Sequence, residues 1–298
     1  MTAKIIRQPV VLNFDNSAGI PQSALSLDLT EWQERIRFGC KWKQFQALEH
    51  YLNQQHFPNT EQLGCVLMGS GDYHHITQLL LQRLTTQEPI HLIVCDNHPD
   101  NMRYPFGIHC GSWVYWASKL PQVARIDVIG ICSSDISLKH AWENHWSPLY
   151  KGKLHYWSLH QDASWTKWIG AKENWHHFEN ADQLMQNFLQ TLTLLTEPRY
   201  LSIDKDVLSQ TVVQTNWDQG EFLYSHLEQL IQACHSKLIG ADITGDVSAY
   251  QYKSLFKRFL SESDGQNEPQ DEQIKLWQIE QIKMNEKLVE LLQAAFIQ

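Results

Sequence analysis

The chain has 298 residues, of which 43% are hydrophobic and 19% are charged, and its formal net charge is -9 at pH 7. This composition predicts a folded, soluble protein with enough apolar material for one large domain or two ordinary ones, and the acidic balance argues against a nucleic-acid partner. The segment from Met1 to Asn16 lacks the pattern of an export signal, and no apolar run approaches the roughly 18 residues that a membrane-spanning helix needs. We therefore expect no membrane association.

Six cysteines are scattered along the chain without a CxxC pair, and several fall inside strand-like runs. Buried free thiols are therefore the favoured interpretation, and they predict a reducing, cytoplasmic location. The six are Cys40, Cys65, Cys95, Cys110, Cys132 and Cys234.

Apolar, strand-like runs recur along the chain, with stretches long enough for helices between most of them. Strands that alternate with helices predict a parallel sheet covered on both faces. We therefore predict a three-layer α/β/α fold with a central, mostly parallel sheet. The predicted strands are residues 64–68, 90–95, 125–131, 153–159, 199–203 and 237–243. Apolar residues at helical spacing predict helices over residues 76–84, 184–195 and 222–234.

We predict one α/β domain over residues 1–262, followed by a linker and a C-terminal helix over residues 263–298. The stretch 261–272 has low hydrophobicity and contains Asp264-Gly265 and Glu268-Pro269, which is typical of a surface linker. Recurring apolar residues from 274 to 297 predict a helix that docks either on the domain or on another subunit. Docking on the domain is the simpler interpretation, and a homo-oligomer is the alternative.

Two acidic motifs come directly after predicted strands. Asp96-Asn97-His98-Pro99-Asp100 follows the run 90–95, and Asp204-Lys205-Asp206 follows the run 199–203. Pro99 argues against a helix, and a period of two in an extended backbone places the alternate residues of each motif on one side. In parallel sheets, ligands bind beyond the carboxyl ends of the strands, where both motifs fall.

Four carboxylates and an imidazole should therefore converge at this edge of the sheet. Such a concentration of negative charge is unstable unless cations neutralise it. Oxygen-rich ligands with histidine suit manganese better than a metal that prefers thiolates. We predict a two-metal hydrolytic site.

A glycine-rich turn, Gly69-Ser70-Gly71-Asp72-Tyr73-His74-His75, precedes both motifs and follows the run 64–68. Glycine permits the sharp reversal, which brings an imidazole to the same edge. In this order the three motifs resemble those of the ureohydrolases, the binuclear manganese enzymes that include arginase, agmatinase and formimidoylglutamase. The first motif is one residue longer than the family's Gly-Gly-Asp-His turn. Counting back from Ile76 selects His74 as the ligand, with His75 as the reserve, because Tyr73 is a poor manganese ligand.

The resemblance implies an arginase-like fold, two manganese ions per chain and hydrolysis of a guanidino group to an amine and urea. It also implies that Asp100 and Asp204 help to bridge the two ions, and that Asp100 can orient the attacking water and relay its proton. The implied metal ligands are His74, Asp96, His98, Asp100, Asp204 and Asp206.

Two further residues match the family's pattern less closely. His109 falls where arginase-like members have a proton-shuttling histidine before glycine, but Cys110 separates it from Gly111 here, so a structural role is also open. Gly245 stands where arginases have the glutamate that binds the guanidinium. Asp246, one residue later, is the candidate for that role, with helix capping as the alternative.

The segment between Asp100 and His109 bears on the substrate. Arginases that act on free arginine have a long loop there, rich in Asn, Ser and Thr, that holds the α-carboxylate and α-amino groups, whereas residues 101–106 are short, apolar and aromatic. We therefore expect an arginine side chain within a peptide, similar to the peptide arginases that form ornithine. Trp217-Asp218-Gln219-Gly220 could add polar contacts to that substrate, or could cap a helix.

Three alternatives stay open. The substrate could be a small guanidino compound such as free arginine or agmatine. A deacetylase-like enzyme would hold a single zinc ion at the same edge of a similar parallel sheet. A catalytically silent, arginase-like binding protein would keep the fold without the reaction.

Overall fold

A parallel sheet forms the centre of the protein. The computed structural model describes residues 7–21, 24–161, 164–255, 257–258 and 271–296. The strands are β1 (Gln8–Asn13), β2 (Leu25–Asp28), β3 (Gly39–Cys40), β4 (Leu63–Leu67), β5 (Ile90–Cys95), β6 (Ile108–His109), β7 (Val123–Ile131), β8 (Leu154–Leu159), β9 (Trp175–Phe178), β10 (Arg199–Asp204) and β11 (Leu238–Thr244).

Nine of these strands form one sheet within the described residues, in the order β2-β1-β4-β11-β10-β5-β7-β8-β9. Every neighbouring pair in it is parallel. The short strands β3 and β6 pair separately and antiparallel. Because β4, β11, β10 and β5 lie side by side, the loops that leave their carboxyl ends meet at one place at the centre of the sheet.

Helices cover both faces of the sheet. They are α1 (Gln33–Ile36), α2 (Trp42–Gln54), α3 (Ile76–Gln82), α4 (Trp113–Ala117), α5 (Ser147–Tyr150), α6 (Ala181–Thr193), α7 (Tyr224–Cys234) and α8 (Asp271–Phe296). Apolar residues of α2 to α5 belong to one buried cluster, and those of α6, α7 and α8 belong to a second. The predicted three-layer α/β/α fold is therefore confirmed.

The central strands are mostly apolar because both of their faces are covered. In β5, Leu92 and Val94 join the first cluster, whereas Ile93 and Cys95 join the second, as the alternation of side chains in a strand requires. All six predicted strands and all three predicted helices are present, with small shifts at their ends. The sequence analysis missed β1, β2 and β9, which lie at or near the two edges of the sheet.

The C-terminal helix α8 packs against β4, β11 and α7. Leu288 and Leu292 are fully buried in the second cluster. On the same helix, Gln281 donates a hydrogen bond to the carbonyl of Gly245 (3.1 Å). The domain boundary placed after residue 262, and the linker before residue 271, lie outside the described residues.

All six cysteines are free thiols, and Cys132 is the one that is not fully buried. In the part of the chain that the structure describes, no helix combines the length and the hydropathy that crossing a bilayer requires.

Shortening a buried side chain of α8 tests how much the packing of this helix contributes to stability. Leu288→Ala should lower the free energy of unfolding by about 2–5 kcal/mol, because it opens a cavity under the helix. Urea denaturation of the purified protein measures this. The matched control is Leu276→Ala on the same helix, where the side chain is 65% exposed, and its effect should stay within about 0.5 kcal/mol. Equal effects of the two variants would contradict the packing.

Candidate metal centre

The turn after β4 places the first histidine. Gly69 has a φ of +86°, and a Cβ there would collide with Asp15, so glycine is required. Asp72 is buried and accepts a hydrogen bond from Arg37 Nε (2.7 Å). Because Arg37 also donates to the backbone carbonyl of Ser248 (3.0 Å), this ion pair fastens the turn to the segment after β11.

His74 is fully buried, and its two ring nitrogens have different surroundings. Nε2 lies 3.0 Å from Ser202 Oγ, and Ser202 Oγ donates to Asp242 Oδ1 (2.6 Å). The single hydroxyl proton goes to Asp242, so the serine accepts the Nε2 proton of His74. These two hydrogen bonds fix the orientation of the imidazole and direct Nδ1 toward the carboxylates, as the residues that support metal ligands do.

Nδ1 of His74 faces three carboxylate oxygens. It lies 3.0 Å from Asp100 Oδ2, 3.1 Å from Asp96 Oδ2 and 3.5 Å from Asp204 Oδ2, yet it makes no well-formed hydrogen bond. Burial alone would lower the pKa of His74, but Asp100 and Asp96 outweigh it and raise the pKa well above its ordinary value. A positive charge therefore belongs between these groups.

His98 occupies the equivalent place in a second group. Its Nδ1 lies 3.0 Å from Asp206 Oδ2 and 3.5 Å from Asp96 Oδ1, and its Nε2 lies 2.8 Å from Asp218 Oδ1. The backbone NH groups of Asn97 and His98 donate to Asp206 Oδ1 (3.0 Å) and Asp96 Oδ1 (2.7 Å). The local backbone therefore supports both carboxylates.

The six predicted ligands lie together in the structure. Two sets of ligand atoms are each compact enough for one ion, with all atoms within 4.8 Å of one another. The first set is His74, Asp96 and Asp100, and the second is Asp96, His98 and Asp206. Asp204, whose Oδ2 faces His74, adjoins the first set. His74 rather than His75 is the histidine of the first motif in these sets.

Asp96, and not Asp100, is the carboxylate that the two sets share. Asp100 belongs to the first set alone, and the expectation that Asp100 and Asp204 help to bridge two ions stays a prediction. Asp100 has a φ of +47°, so the backbone is not extended there. One of its oxygens, Oδ2, accepts a hydrogen bond from the indole of Trp113 (2.6 Å). Both features turn its carboxylate toward His74, on one side of the cluster.

The carboxylates carry more negative charge than the two imidazoles can balance. Burial raises the pKa of Asp204 well above its ordinary value, and the neighbouring Asp206 adds to the shift. Burial, followed by the charge of Asp96, raises the pKa of Asp100 and that of Asp206 to about 7. Divalent cations relieve this repulsion. A donor set of four carboxylates and two imidazoles fits manganese.

His109 is buried and lines the same cavity as the ligands. It ends β6, where it pairs with Gly39. Its Nδ1 accepts a hydrogen bond from the NH of Gly111 (3.0 Å), so the extra residue Cys110 is accommodated by a tight turn. Burial, with a smaller effect of Lys257, lowers the pKa of His109 to about 3. The imidazole is therefore neutral.

Asp246 does not lie where a substrate acid is needed, which corrects the expectation from sequence. It is fully buried and does not belong to the cavity wall. Its Oδ1 forms an ion pair with Lys205 Nζ (2.5 Å) and accepts from Asn285 Nδ2 (2.9 Å). Lys205 is the middle residue of the third motif and is itself fully buried, so it needs this carboxylate as its partner.

The sequence analysis missed Asp242 as a supporting residue. It is buried near the end of β11 and accepts hydrogen bonds from Ser202 (2.6 Å), Tyr200 (2.7 Å) and Thr77 (3.2 Å). No motif marks it, because its role depends on the pairing of β10 with β11. The pairing sets Asp242 opposite Ser202, and reading along the chain cannot detect that partner.

A cavity of about 480 Å³ opens above the candidate metal ligands. Its walls come from the loops after β5, β7 and β10. Lining residues outside the ligand set include Met102, Ser133, Asp135, Glu143, Trp217 and Asp218. The geometry is that of a concave site with a charged floor and mixed polar and apolar walls, which suits a small cationic group.

No protein-family model matches the chain, and no curated protein matches it. Solved structures do match. The agmatine ureohydrolase of Thermoplasma volcanium is 13% identical with a TM-score of 0.54, over 99% of this chain and 92% of that one. The arginase of Bacillus caldovelox is 13% identical with a TM-score of 0.52, and the match covers 98% of this chain and 99% of the arginase. The formiminoglutamase of Trypanosoma cruzi, solved with Mn²⁺, is 7% identical with a TM-score of 0.52, over 99% and 96%.

At these identities the likeness establishes the fold, and the fold is that of arginase and its structural relatives. The resemblance seen in the three motifs and the similarity in three dimensions agree. The structural similarity extends beyond the motifs, since the matches cover nearly the whole chain.

Loss of the serine behind His74 should weaken metal binding without removing a ligand. Ser202→Ala removes the hydrogen bonds that link His74 to Asp242. We therefore expect roughly a 10- to 100-fold loss of manganese affinity, as for other residues that support a metal ligand. Competition with a metal-chelating dye measures this. Ser209→Ala is the matched control, because Ser209 bonds an exposed threonine hydroxyl. Unchanged affinity in Ser202→Ala would refute the proposed orientation of His74.

The ion pair of Lys205 and Asp246 should dominate the stability of the third motif. Lys205→Met leaves a buried carboxylate without its partner, and we expect a loss of about 3–5 kcal/mol in the free energy of unfolding. The double variant Lys205→Met/Asp246→Leu should recover most of that loss, since both charges are gone. Urea denaturation distinguishes the two variants. A double variant as unstable as the single one would contradict the pairing.

Proposed function

We propose that the protein is a manganese-dependent amidinohydrolase, which converts a guanidino group and water into an amine and urea. The observation that carries the proposal is the pair of compact ligand sets that share Asp96 on the floor of the cavity. A fold like that of arginase and agmatine ureohydrolase supports it.

Two manganese ions would be held by the six clustered residues. His74, Asp96 and Asp100 would hold one ion, and Asp96, His98 and Asp206 the other, with Asp204 completing the set. When bound, such a pair of ions activates water for attack on an electrophilic carbon.

The reaction cleaves one C–N bond of the guanidinium and forms one C–O bond with the oxygen of water. Its two products are urea and an alkylammonium ion, so the single positive charge of the substrate passes to the amine. The departing nitrogen must gain a proton, and we assign this transfer to His109. It lines the cavity, and an imidazole at that position can carry a proton to the departing nitrogen.

The substrate that we favour is an arginine side chain within a peptide. The rim of the cavity supports this choice. Residues 101–106 and the segment that contains Asn144 are tied together, since Arg103 Nε donates to the carbonyl of Asn144 (3.1 Å). On these segments Phe106 is 53% exposed and Trp142 is 73% exposed. These segments contribute Met102 and Glu143 to the cavity wall, and exposed aromatic side chains on them can bind the residues that flank the arginine.

A small guanidino compound is the second candidate. The cavity volume of about 480 Å³ is within the range for small-molecule sites. Its occupant would be free arginine or agmatine. We further propose a cytoplasmic location, which the free thiols favour. A homo-oligomer is also part of the proposal.

Incubation with manganese and each of three substrates tests the function. We expect an arginine-containing peptide to release urea and to lose one CN₂H₂ unit, about 42 Da, because a hydrolysed guanidinium leaves ornithine. Free arginine and agmatine should react more slowly or not at all. Colorimetric urea determination and mass spectrometry of the peptide provide the measurements.

The control is Asp204→Ala, which removes a candidate ligand and should abolish turnover. Urea from the small compounds alone would replace the peptide proposal with the second candidate. Manganese-loaded protein that releases no urea from any guanidino compound would overturn the amidinohydrolase. One tightly bound zinc per chain, with hydrolysis of acetyl-lysine, would favour a deacetylase instead.

A further inference from the structure

A cavity that binds a guanidinium needs a carboxylate to pair with the cation. Asp246 cannot supply it, because Lys205 already neutralises that buried carboxylate. Besides the candidate metal ligands, the described residues contribute three carboxylates to the cavity wall, from Asp135, Glu143 and Asp218. A delocalised cation is held best by a carboxylate that offers two oxygens. The three differ in their position relative to the ligand cluster.

Asp218 is the one that touches a candidate ligand. Its Oδ1 lies 2.8 Å from Nε2 of His98, and its Oδ2 accepts from Asn97 Nδ2 (2.9 Å). In the described part of the chain, no hydrogen bond or ion pair joins Asp135 or Glu143 to the cluster. Glu143 bonds His140 at the rim instead (3.1 Å). Asp218 is therefore the carboxylate best placed to bind a guanidinium whose carbon lies near the cluster.

The carboxylate of Asp218 retains capacity for a substrate. Each of its oxygens is engaged once, and a carboxylate can accept about four hydrogen bonds. Its side chain is 67% exposed while lining the cavity. Trp217, next to it, also lines the cavity, and its ring lies 5.8 Å from that of His98. An indole face beside a carboxylate suits a planar cation.

The loop that carries Asp218 is fixed in place. The side chain of Gln219 donates to the carbonyls of Leu208 (2.8 Å) and Val213 (2.9 Å). The NH of Gly220 donates to the carbonyl of Asp206 (2.7 Å). Because Asp206 is itself a candidate ligand, the loop keeps its register relative to the cluster, which a residue that positions a substrate requires.

We propose that Asp218, flanked by Trp217, receives the guanidinium of the substrate and takes the role expected of an acid after β11. This inference rests on the proposed function. It makes Asp218 a specificity-determining residue, whose negative charge distinguishes a guanidinium from a neutral urea of the same shape.

Asp218→Asn tests the inference, because it removes the charge and keeps the size. With the peptide substrate and manganese, we expect KM to rise roughly 10- to 100-fold, the range for loss of a charge-assisted hydrogen bond. The inhibition constant of methylguanidinium should rise by a similar factor. Manganese content, measured by atomic absorption, should stay at the wild-type value. Asp135→Asn and Glu143→Gln are the matched controls and should change KM less than threefold.

Two results would overturn the inference. One is an unchanged KM and inhibition constant in Asp218→Asn. The other is a rise matched by a loss of bound manganese, which would mean that Asp218 only orients His98. If the wild-type protein releases no urea, the proposed function fails, and calorimetric titration of the manganese-loaded protein with methylguanidinium then decides the inference. Binding that is present in the wild type and lost in Asp218→Asn supports it, and equal or absent binding in both overturns it.

Discussion

The burial of several carboxylates in mutual contact is the constraint on which the rest of this structure depends. Asp96, Asp100, Asp204 and Asp206 lie within one cluster at the carboxyl ends of β5 and β10. Their repulsion in a poorly solvated place would open the loops unless cations and fixed dipoles oppose it. The surrounding polar residues can be understood as the groups that hold this charge in position.

Each of the three motifs contains residues of two kinds. One kind faces the cluster, and the other anchors the motif to a different part of the chain. Asp72 pairs with Arg37, and Lys205 pairs with Asp246. Asn97 bonds Asp218 and, through Oδ1, the NH of Cys132. The anchors Asp72, Asn97 and Lys205 are at least as buried as the candidate ligands, because a loop that carries charge into the interior must satisfy its remaining polar groups as well.

The sequence contained enough information for the sheet and for the clustering of the six candidate ligands, and less for the wall of the site. Strands buried on both faces are continuous apolar runs, so β5 and β10 were recognisable, whereas the exposed edge strand β2 was not. The candidate ligands could be selected from their spacing within short motifs. The role of Asp246 depends on Lys205, which is 41 residues away, and counting along the chain cannot detect that partner.

The C-terminal helix explains why the substrate acid is expected on a different loop. Gln278 and Gln281 of α8 donate to the carbonyls of Val247 and Gly245, and Asn285 donates to Asp246. The segment after β11 is thereby closed against α8 and cannot present a carboxylate to the cavity. In the loop between β10 and α7, Gln281 contacts the carbonyl of Gln214, whereas Trp217 and Asp218 further along the loop line the cavity. In the proposed function, a cation above the cluster would meet negative charge from the side of β10, and the docking of α8 would constrain which residues select the substrate.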